Sequence, residues 1–220
     1  MKKKKYKLAI FDLDGTLLDT SQGVLNAAKA VIIEKGWIMP NAEILRSFIG
    51  PPIQDSFAKH YKLTEQDAKE AAGVFRKYYK EKHLLEAISY DGIYDTFDFL
   101  ISQGIKVAVA TYKREDYAQK VLCHFGFDKY TELLYGSDFE GKLKKVDIIK
   151  KVIHDSNVQN YEEIVMIGDS YHDALGAEQI PVDFIGVTYG FDFRTKEDVY
   201  QYPAVGWADS PPMLDHYFSS

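Results

Sequence analysis

The sequence predicts an α/β protein in which helices cover both faces of a parallel sheet, and two observations lead to this prediction. Short apolar segments recur along the 220-residue chain and alternate with stretches of helical periodicity, which is the pattern of strands buried on both faces. The interval between the first two apolar segments, about ninety residues, is far longer than a crossover between strands requires. We therefore expect a Rossmann-like core with a small all-helical domain inserted after the first strand.

The strands of the core are predicted at short, nearly continuous apolar segments rich in residues that favour strands. These segments are residues 8–11, 105–110, 133–135, 164–167 and 183–187. Helices are predicted between them at 94–103, 117–125 and 146–153, because apolar residues recur there at helical spacing.

The long interval has helical periodicity throughout, apart from a break at residues 50–52, Gly-Pro-Pro. Its predicted helices are 23–35, 42–47, 53–60, 65–72 and 73–82. We expect the inserted domain to comprise residues 21–89, and the α/β core to comprise residues 1–20 and 90–220.

Composition narrows the class of protein. Apolar residues make up 46% of the chain and charged residues 27%, as in soluble globular proteins. The net charge of -6 argues against binding a nucleic-acid polymer. The single cysteine, Cys123, excludes an intrachain disulfide and fits the cytoplasm. No apolar segment approaches the ~20 residues that span a bilayer, and none follows the basic N-terminus as in a signal peptide. We expect a cytoplasmic protein without a membrane partner.

Polar clusters follow three of the predicted strands. Residues 12–16, Asp-Leu-Asp-Gly-Thr, follow the first strand; residues 111–113, Thr-Tyr-Lys, follow the second; and residues 168–173, Gly-Asp-Ser-Tyr-His-Asp, follow the fourth. Asp and Gly are ordinary turn residues, so the second and third clusters are weak signals alone. Two carboxylates at the end of a buried strand are costly unless a cation or hydrogen-bond donors compensate. Because ligands bind at the carboxyl ends of parallel strands, these clusters predict one shared site.

Other readings of the acidic residues fail. An EF-hand loop starting at Asp12 would need Gly at its sixth position and Glu at its twelfth, where this chain has Leu17 and Gly23. The dinucleotide, P-loop and serine-hydrolase motifs are absent from the sequence. The six histidines lack the spacing of zinc ligands.

The clusters resemble the motifs of the haloacid dehalogenase superfamily, in its phosphoglycolate-phosphatase-like branch with a helical cap. Residues 11–20, FDLDGTLLDT, are close to the first motif of the family, and residues 168–177, GDSYHDALGA, to the fourth. Thr111 stands at the second motif. Lys142, Lys144 and Lys145 compete for the third, and we favour Lys145 because residues 145–149, KVDII, resemble the lysine that opens a helix in the family.

The resemblance implies a role for each residue. Asp12 is expected to be the nucleophile that forms an aspartyl-phosphate, and Asp14 the general acid and base. Mg²⁺ is the expected cofactor, bound by Asp12, the backbone carbonyl of Asp14 and Asp169. Asp173 is expected behind these ligands, where it orients Lys145 or a metal-bound water, although an acidic residue at a helix N-terminus can also simply favour the helix dipole.

Binding of the substrate is also implied by the resemblance. Thr111 and Lys145 are expected to hold the phosphoryl oxygens, together with backbone N–H groups near Leu13 and Tyr112. Arg46 and Gly50, at the 48–52 loop of the inserted domain, are candidate contacts to the rest of the substrate. The 48–52 loop is explained equally well as an ordinary turn between two helices.

The expected substrate is a small phosphate monoester: phosphoglycolate, a sugar phosphate or a nucleotide monophosphate. Asp14 separates the chain from the dehalogenases, which lack this acid, and from the transporting ATPases, which have threonine there. A phosphomutase of the β-phosphoglucomutase type remains the main alternative, and a phosphonate-cleaving enzyme or a non-catalytic binding protein are further ones. The sequence leaves open whether the protein is a monomer or a homodimer.

Overall fold

The computed structural model describes residues 6–50, 52–139 and 142–219. The chain divides into two compact units. One contains the residues up to Asp19 together with those from Ser89 onward, and the other is Thr20–Ile88. The first is an α/β unit, and the second is helical.

The strands are β1 Leu8–Phe11, β2 Leu18–Asp19, β3 Ile88–Ser89, β4 Lys106–Arg114, β5 Leu134–Ser137, β6 Ile164–Gly168, β7 Asp183–Val187 and β8 Gly206–Ala208. The α-helices are α1 Ser21–Glu34, α2 Ala42–Arg46, α3 Ile53–Tyr61, α4 Glu65–Tyr78, α5 Ile93–Ser102, α6 Glu115–His124, α7 Lys145–Ser156, α8 Tyr171–Glu178 and α9 Lys196–Val199. A π-helical turn, Tyr79–His83, and the 3₁₀ segments Phe127–Lys129, Tyr161–Glu163 and Pro211–Tyr217 complete the list. None of the helices described here has both the length and the apolar character needed to cross a membrane.

Six strands form one sheet in the order β5-β4-β1-β6-β7-β8, and every neighbouring pair in it is parallel. The first strand lies inside this sheet and is buried along its whole length, which explains its uninterrupted apolar sequence. Phe11 lies level with Val109 on one side and with Ile167 on the other. The residues that follow these three strands are therefore brought to one edge, and the α/β class is confirmed.

The second strand differs from its prediction. We expected β4 to end at residue 110, whereas it continues through Thr111 to Arg114. Its pairing with β5 shifts register between Ala110 and Arg114, as at a β-bulge, which re-aims side chains locally. The short strand β8 was not predicted.

The predicted division of helix 65–82 at Gly73 is wrong. Helix α4 runs through Gly73 to Tyr78 and continues as the π-helical turn. Gly73 is exposed, and no heavy atom lies within 4 Å of the position a Cβ would occupy. A single glycine inside a helix costs only about 1 kcal/mol relative to alanine, which this helix tolerates.

The helical unit is held by apolar packing and helix caps. Phe57 packs against Phe48, with ring centroids 5.2 Å apart. The Asn41 side chain accepts a hydrogen bond from the Ile44 N–H at 2.9 Å and so caps α2. Arg46 is exposed in the last turn of α2, and Gly50 has a φ of +97°. Pro51 of the predicted contact loop lies outside the described residues.

The outer strand β8 is closed by a tyrosine. The Tyr217 hydroxyl accepts a hydrogen bond from the Trp207 N–H at 3.0 Å and donates one to the Trp207 carbonyl at 2.8 Å. A Cβ on the neighbouring Gly206 would come within 2.2 Å of the Tyr217 ring. Because Gly206 has no side chain, the Tyr217 ring fits against β8, and its hydroxyl satisfies the backbone N–H and carbonyl of Trp207.

Candidate active site

The first strand ends at a buried carboxylate. Asp12 directly follows β1 and is 6% exposed, and its N–H donates to the Ile167 carbonyl at 2.9 Å. The Leu13 carbonyl accepts from the N–H groups of Leu17 and Leu18 at 3.0 and 3.1 Å. The chain therefore turns immediately after Asp12, which fixes that carboxylate at the carboxyl end of the sheet.

A buried lysine contacts this carboxylate. Lys145 is the first residue of α7 and is 3% exposed. Its Nζ lies 2.5 Å from Asp12 Oδ1 and 2.6 Å from Asp173 Oδ1. The competing candidates, Lys142 and Lys144, are both exposed. Of the three lysines, the structure brings Lys145 to the acidic strand ends.

Two further carboxylates come from the end of β6 and the start of α8. Asp169 is buried, and its Oδ2 accepts a hydrogen bond from the Phe191 N–H at 2.6 Å. Asp173 is fully buried, and its Oδ2 accepts from the Ser170 N–H at 3.1 Å and from Ser170 Oγ at 2.7 Å. Asp173 thus caps α8 with one oxygen while the other contacts Lys145.

The acidic cluster fits a divalent cation. Carboxylate oxygens of Asp12, Asp169 and Asp173 all lie within 4.8 Å of one another. The buried ammonium of Lys145 contacts two of these three buried acids, Asp12 and Asp173. Carboxylate oxygens are the ligands that hard cations such as Mg²⁺ prefer. The cluster can therefore hold a metal ion, which would balance its excess negative charge.

Burial sets the protonation of the cluster. It raises the pKa of Asp12 to about 7, although Lys145 acts in the opposite direction; Asp173 and Asp14 raise the pKa further. Burial also raises the pKa of Asp169 well above its ordinary value, as do the charges of Asp12 and Asp173. For Lys145, burial alone would lower the pKa, but Asp12 and Asp173 outweigh it and the pKa is raised. The carboxylates therefore favour any additional positive charge.

A second ion pair involves Asp14, which is only half-buried. Its Oδ1 lies 2.9 Å from Lys113 Nζ, and the Lys113 side chain is 8% exposed. The buried Thr111 accepts a hydrogen bond from the Lys113 N–H at 3.2 Å through its Oγ1. Lys113 was not among the predicted site residues. Its place in the 111–113 cluster was the only signal, and that place does not identify a partner a hundred residues away.

Two glycines enclose Asp169. Gly15 has a φ of +84°, and a Cβ there would lie 2.1 Å from Asp169 Oδ2. A Cβ on Gly190 would lie 2.3 Å from the Gly15 carbonyl oxygen and 2.4 Å from Asp169 Oδ2. Neither Gly190 nor the donor Phe191 was predicted at the site, because backbone groups leave no signature in the sequence.

The remaining predicted residues are divided between the units. Leu13 is buried beside Asp12, and Tyr112 lies in β4 with 41% of its surface exposed. Arg46 and Gly50 belong to the helical unit. The fold and this site define the class: an α/β protein with a buried acidic and cationic centre at the carboxyl ends of its central strands.

Comparisons with known proteins identify the family. The haloacid dehalogenase-like hydrolase family matches residues 9–187. The chain is 35% identical to a 5'-nucleotidase of Pseudomonas aeruginosa over 188 residues, which cover 85% of each protein. It is 29% identical to a phosphoglycolate phosphatase of Colwellia psychrerythraea over 216 residues, or 92% of each. Protein tyrosine kinase A of Mycobacterium tuberculosis has a similar structure, with a TM-score of 0.83, 28% identity and coverage of 99% of this chain and 100% of that one.

The chain therefore belongs to the haloacid dehalogenase-like hydrolases, in their phosphoglycolate-phosphatase-like branch, and it is a phosphatase of that family. The resemblance of the 11–20 and 168–177 segments is confirmed at this level.

Proposed function

We propose that the protein is a Mg²⁺-dependent phosphatase that hydrolyses a small-molecule phosphate monoester through an aspartyl-phosphate on Asp12. One observation carries the proposal: a carboxylate at the end of the central strand contacts a buried ammonium and lies among two other buried carboxylates. This arrangement combines a nucleophile, a cation for the phosphoryl group and a candidate metal site in one place.

In the first half-reaction, an Asp12 carboxylate oxygen attacks phosphorus. The bond from Asp12 to phosphorus forms while the bond to the ester oxygen breaks, and Asp14 gives its proton to the departing alkoxide. In the second half-reaction, Asp14 takes a proton from the water that attacks the phosphorus of the aspartyl-phosphate. Inorganic phosphate leaves, and Asp12 is regenerated.

The other residues hold the transferring group. Lys145 would donate to a phosphoryl oxygen while keeping its contact with Asp173, which fixes the direction of the ammonium. Thr111 and the N–H groups of Leu13 and Tyr112 would hold the remaining oxygens. Mg²⁺ would be held by Asp12, Asp169 and the Asp14 carbonyl. When bound, it would supply positive charge that offsets the repulsion between Asp12 and the phosphate.

We assign further contacts to the non-reacting part of the substrate to residues 21–89, as a cap domain. Arg46 is exposed and available to an anionic group, and Gly50 adopts a positive φ that permits close backbone approach. Arg46→Ala is expected to raise KM for the preferred substrate about ten-fold with little change in kcat, since the lost contact is to a part of the substrate that does not react. An unchanged KM would remove Arg46 from the binding residues.

The nucleophile is tested by phosphate release. With Mg²⁺, the protein should release phosphate from members of a panel that includes phosphoglycolate, sugar phosphates and nucleoside monophosphates, the first and last being the substrate types that the relatives' names suggest. Asp12→Asn should lower kcat by roughly 10⁴-fold or more, because the amide cannot form the phosphoenzyme.

The matched control is Asp209→Asn, which makes the same change at an exposed position in the same unit and should leave kcat unchanged. Circular dichroism would establish that both variants are folded. Activity that survives in folded Asp12→Asn would exclude the proposed mechanism.

A further inference from the structure

Three aromatic side chains that the proposed chemistry does not use lie together in the α/β unit. We call Tyr112, Tyr171 and His172 the aromatic patch. Tyr112 belongs to β4, and the other two open α8. Tyr112 is 41% exposed and Tyr171 44% exposed, while His172 is half-buried. Large aromatic side chains usually lie in the core or at interfaces, so a contiguous exposed group indicates a binding surface.

The rings contact one another. The His172 ring lies edge-on to Tyr112, with centroids 5.0 Å apart. It lies 3.9 Å from the Tyr171 centroid, at an interplanar angle of 34°. His172 therefore supports both tyrosines from between, which limits their side-chain freedom before any ligand binds. A surface that is already ordered loses less entropy on binding than one made of mobile side chains.

The patch adjoins the residues expected to hold the phosphoryl group. Lys145 Nζ lies 5.7 Å from the centroid of the Tyr112 ring, and the same Nζ contacts Asp12. His172 directly precedes Asp173, whose Oδ1 is also 2.6 Å from Lys145 Nζ. A ligand with its phosphate beside Lys145 thus has exposed aromatic rings within reach of the rest of its structure.

From this geometry we infer that the enzyme prefers phosphate esters that carry a planar aromatic ring, the most common natural class being nucleoside 5'-monophosphates, and that the aromatic patch stacks with the base. The inference rests on the proposed function. A base and its phosphate are joined through one ribose, so both are held together only where a stacking surface adjoins the phosphate site. A small ester such as phosphoglycolate has no ring and would leave the patch in water. Aromatic faces stack on bases of any sequence, so no particular base is specified.

The test compares three substrates that share the same sugar phosphate, two with a base and one without. kcat/KM is measured with Mg²⁺ for adenosine and cytidine 5'-monophosphates and for ribose 5-phosphate, which lacks only the base. The wild-type protein should favour both nucleotides. Tyr171→Ala should lower the ratio of nucleotide to ribose phosphate by roughly 5- to 100-fold, the range expected for one lost stacking contact. The loss should appear in KM, because the base does not take part in bond breaking.

Conservative variants separate stacking from folding. Tyr171→Phe keeps the ring and should keep the ratio, whereas Tyr171→Leu keeps apolar volume without a flat face and should lower it. Tyr161→Ala is the matched control, because Tyr161 is 42% exposed in the same unit but outside the patch.

The outcomes are distinguishable. If the enzyme hydrolyses ribose 5-phosphate as well as or better than the nucleotides, or if Tyr171→Ala and Tyr171→Leu leave the ratio unchanged, the inference is overturned while the proposed phosphatase stands. If none of these three substrates nor any other phosphate ester is hydrolysed by folded protein with Mg²⁺, the inference and the proposed function fail together.

Discussion

The two units of the chain bury different kinds of side chain. Within the described residues, the buried charged groups all belong to the α/β unit: Asp12, Lys145, Asp169 and Asp173. Among the described residues of the helical unit, the buried polar side chains are Thr20 and Ser56, neither of which carries a charge. Burying charge is costly unless it is paired or bound to a metal. The buried charges of the α/β unit therefore lower its folding stability, as expected for the site of the proposed reaction. The helical unit is stabilised by apolar packing and helix caps.

After loss of the nucleophile Asp12, the largest effect on kcat should come from the proposed proton donor, Asp14. Asp14→Asn is expected to lower kcat by about 10²–10⁴-fold with alkyl phosphates, because the alkoxide then leaves without a proton. The loss should be much smaller with p-nitrophenyl phosphate, whose leaving group is stable as an anion. Steady-state kinetics on both substrates provide the measurement.

Asp91→Asn, at an exposed position of the same unit, is the control for that substitution and should not change kcat for either substrate. An equal loss on both substrates in Asp14→Asn would assign Asp14 to another role.

Removal of the buried ammonium comes next and tests the contrast between the units directly. Lys145→Met should cost about 3–5 kcal/mol in the free energy of unfolding, because Asp12 and Asp173 lose their shared partner. It should also lower kcat by roughly 10²–10³-fold. Urea unfolding and phosphate release measure the two effects. Lys144 is its exposed neighbour, and Lys144→Met should change neither the free energy of unfolding nor kcat. A fully stable Lys145→Met protein would show that its charge is not what balances the carboxylates.

Two glycines with positive φ give a matched pair across the units. Gly15→Ala should lower the free energy of unfolding by about 2–5 kcal/mol. The added Cβ would clash with the carboxylate of Asp169, and alanine would also have to adopt a left-handed backbone conformation. Gly36→Ala in the helical unit should cost only about 1 kcal/mol, since nothing lies within 4 Å of its Cβ position. Thermal unfolding of both variants measures the difference, and equal costs would mean that the Asp169 side chain moves freely.

The pH dependence of stability should differ between metal-free and metal-bound protein. The pKa of Asp12 is raised from 3.8 to about 7 by burial, so the folded state binds this proton more tightly than the unfolded state. The unfolding free energy of metal-free protein should therefore fall as pH rises from about 4 to about 7. Mg²⁺ should stabilise most above that range, where its ligands are ionised. Asp12→Asn should flatten the slope in urea titrations, and an unchanged slope would assign it to other groups.

The smallest effect is expected in the helical unit. Asn41→Ala removes the cap of α2 and should lower stability by about 1 kcal/mol. The catalytic constant should not change, because no charged group of the α/β unit is altered. A fall in kcat comparable to that of Lys145→Met would break the proposed division between the units.

The parts of the fold that the sequence predicted are those with dense local signals. Strands β1 and β7 were predicted to the residue: β1 is an apolar segment between Lys7 and Asp12, and β7 is a mostly apolar segment that ends before Thr188. Strand β8 was missed because three residues, Gly-Trp-Ala, carry no periodicity. The extension of β4 past Thr111 was missed because polar residues inside a bulge look like a loop.

The candidate site, too, could be predicted only where the sequence carries a local signal. Asp12, Asp169 and Asp173 stand in recognisable segments, and their proximity follows from parallel strands ending at one edge. The pairing of Lys113 with Asp14 could not be foreseen, since it depends on how the end of β4 and the turn after β1 approach each other in the folded chain. The hydrogen bond from the Phe191 N–H to Asp169 is invisible for a different reason, because every residue except proline carries that donor.

The hydroxyl of Tyr217, bonded to both backbone groups of Trp207, has a consequence for how this protein behaves at high concentration. An outer strand with unused N–H and C=O groups can recruit a strand from another molecule, which is a common start of aggregation. At Trp207 both groups are already engaged by a side chain of the same molecule. Loss of the Tyr217 hydroxyl would leave both groups without this partner, so we expect such a variant to precipitate at high concentration before it loses catalysis.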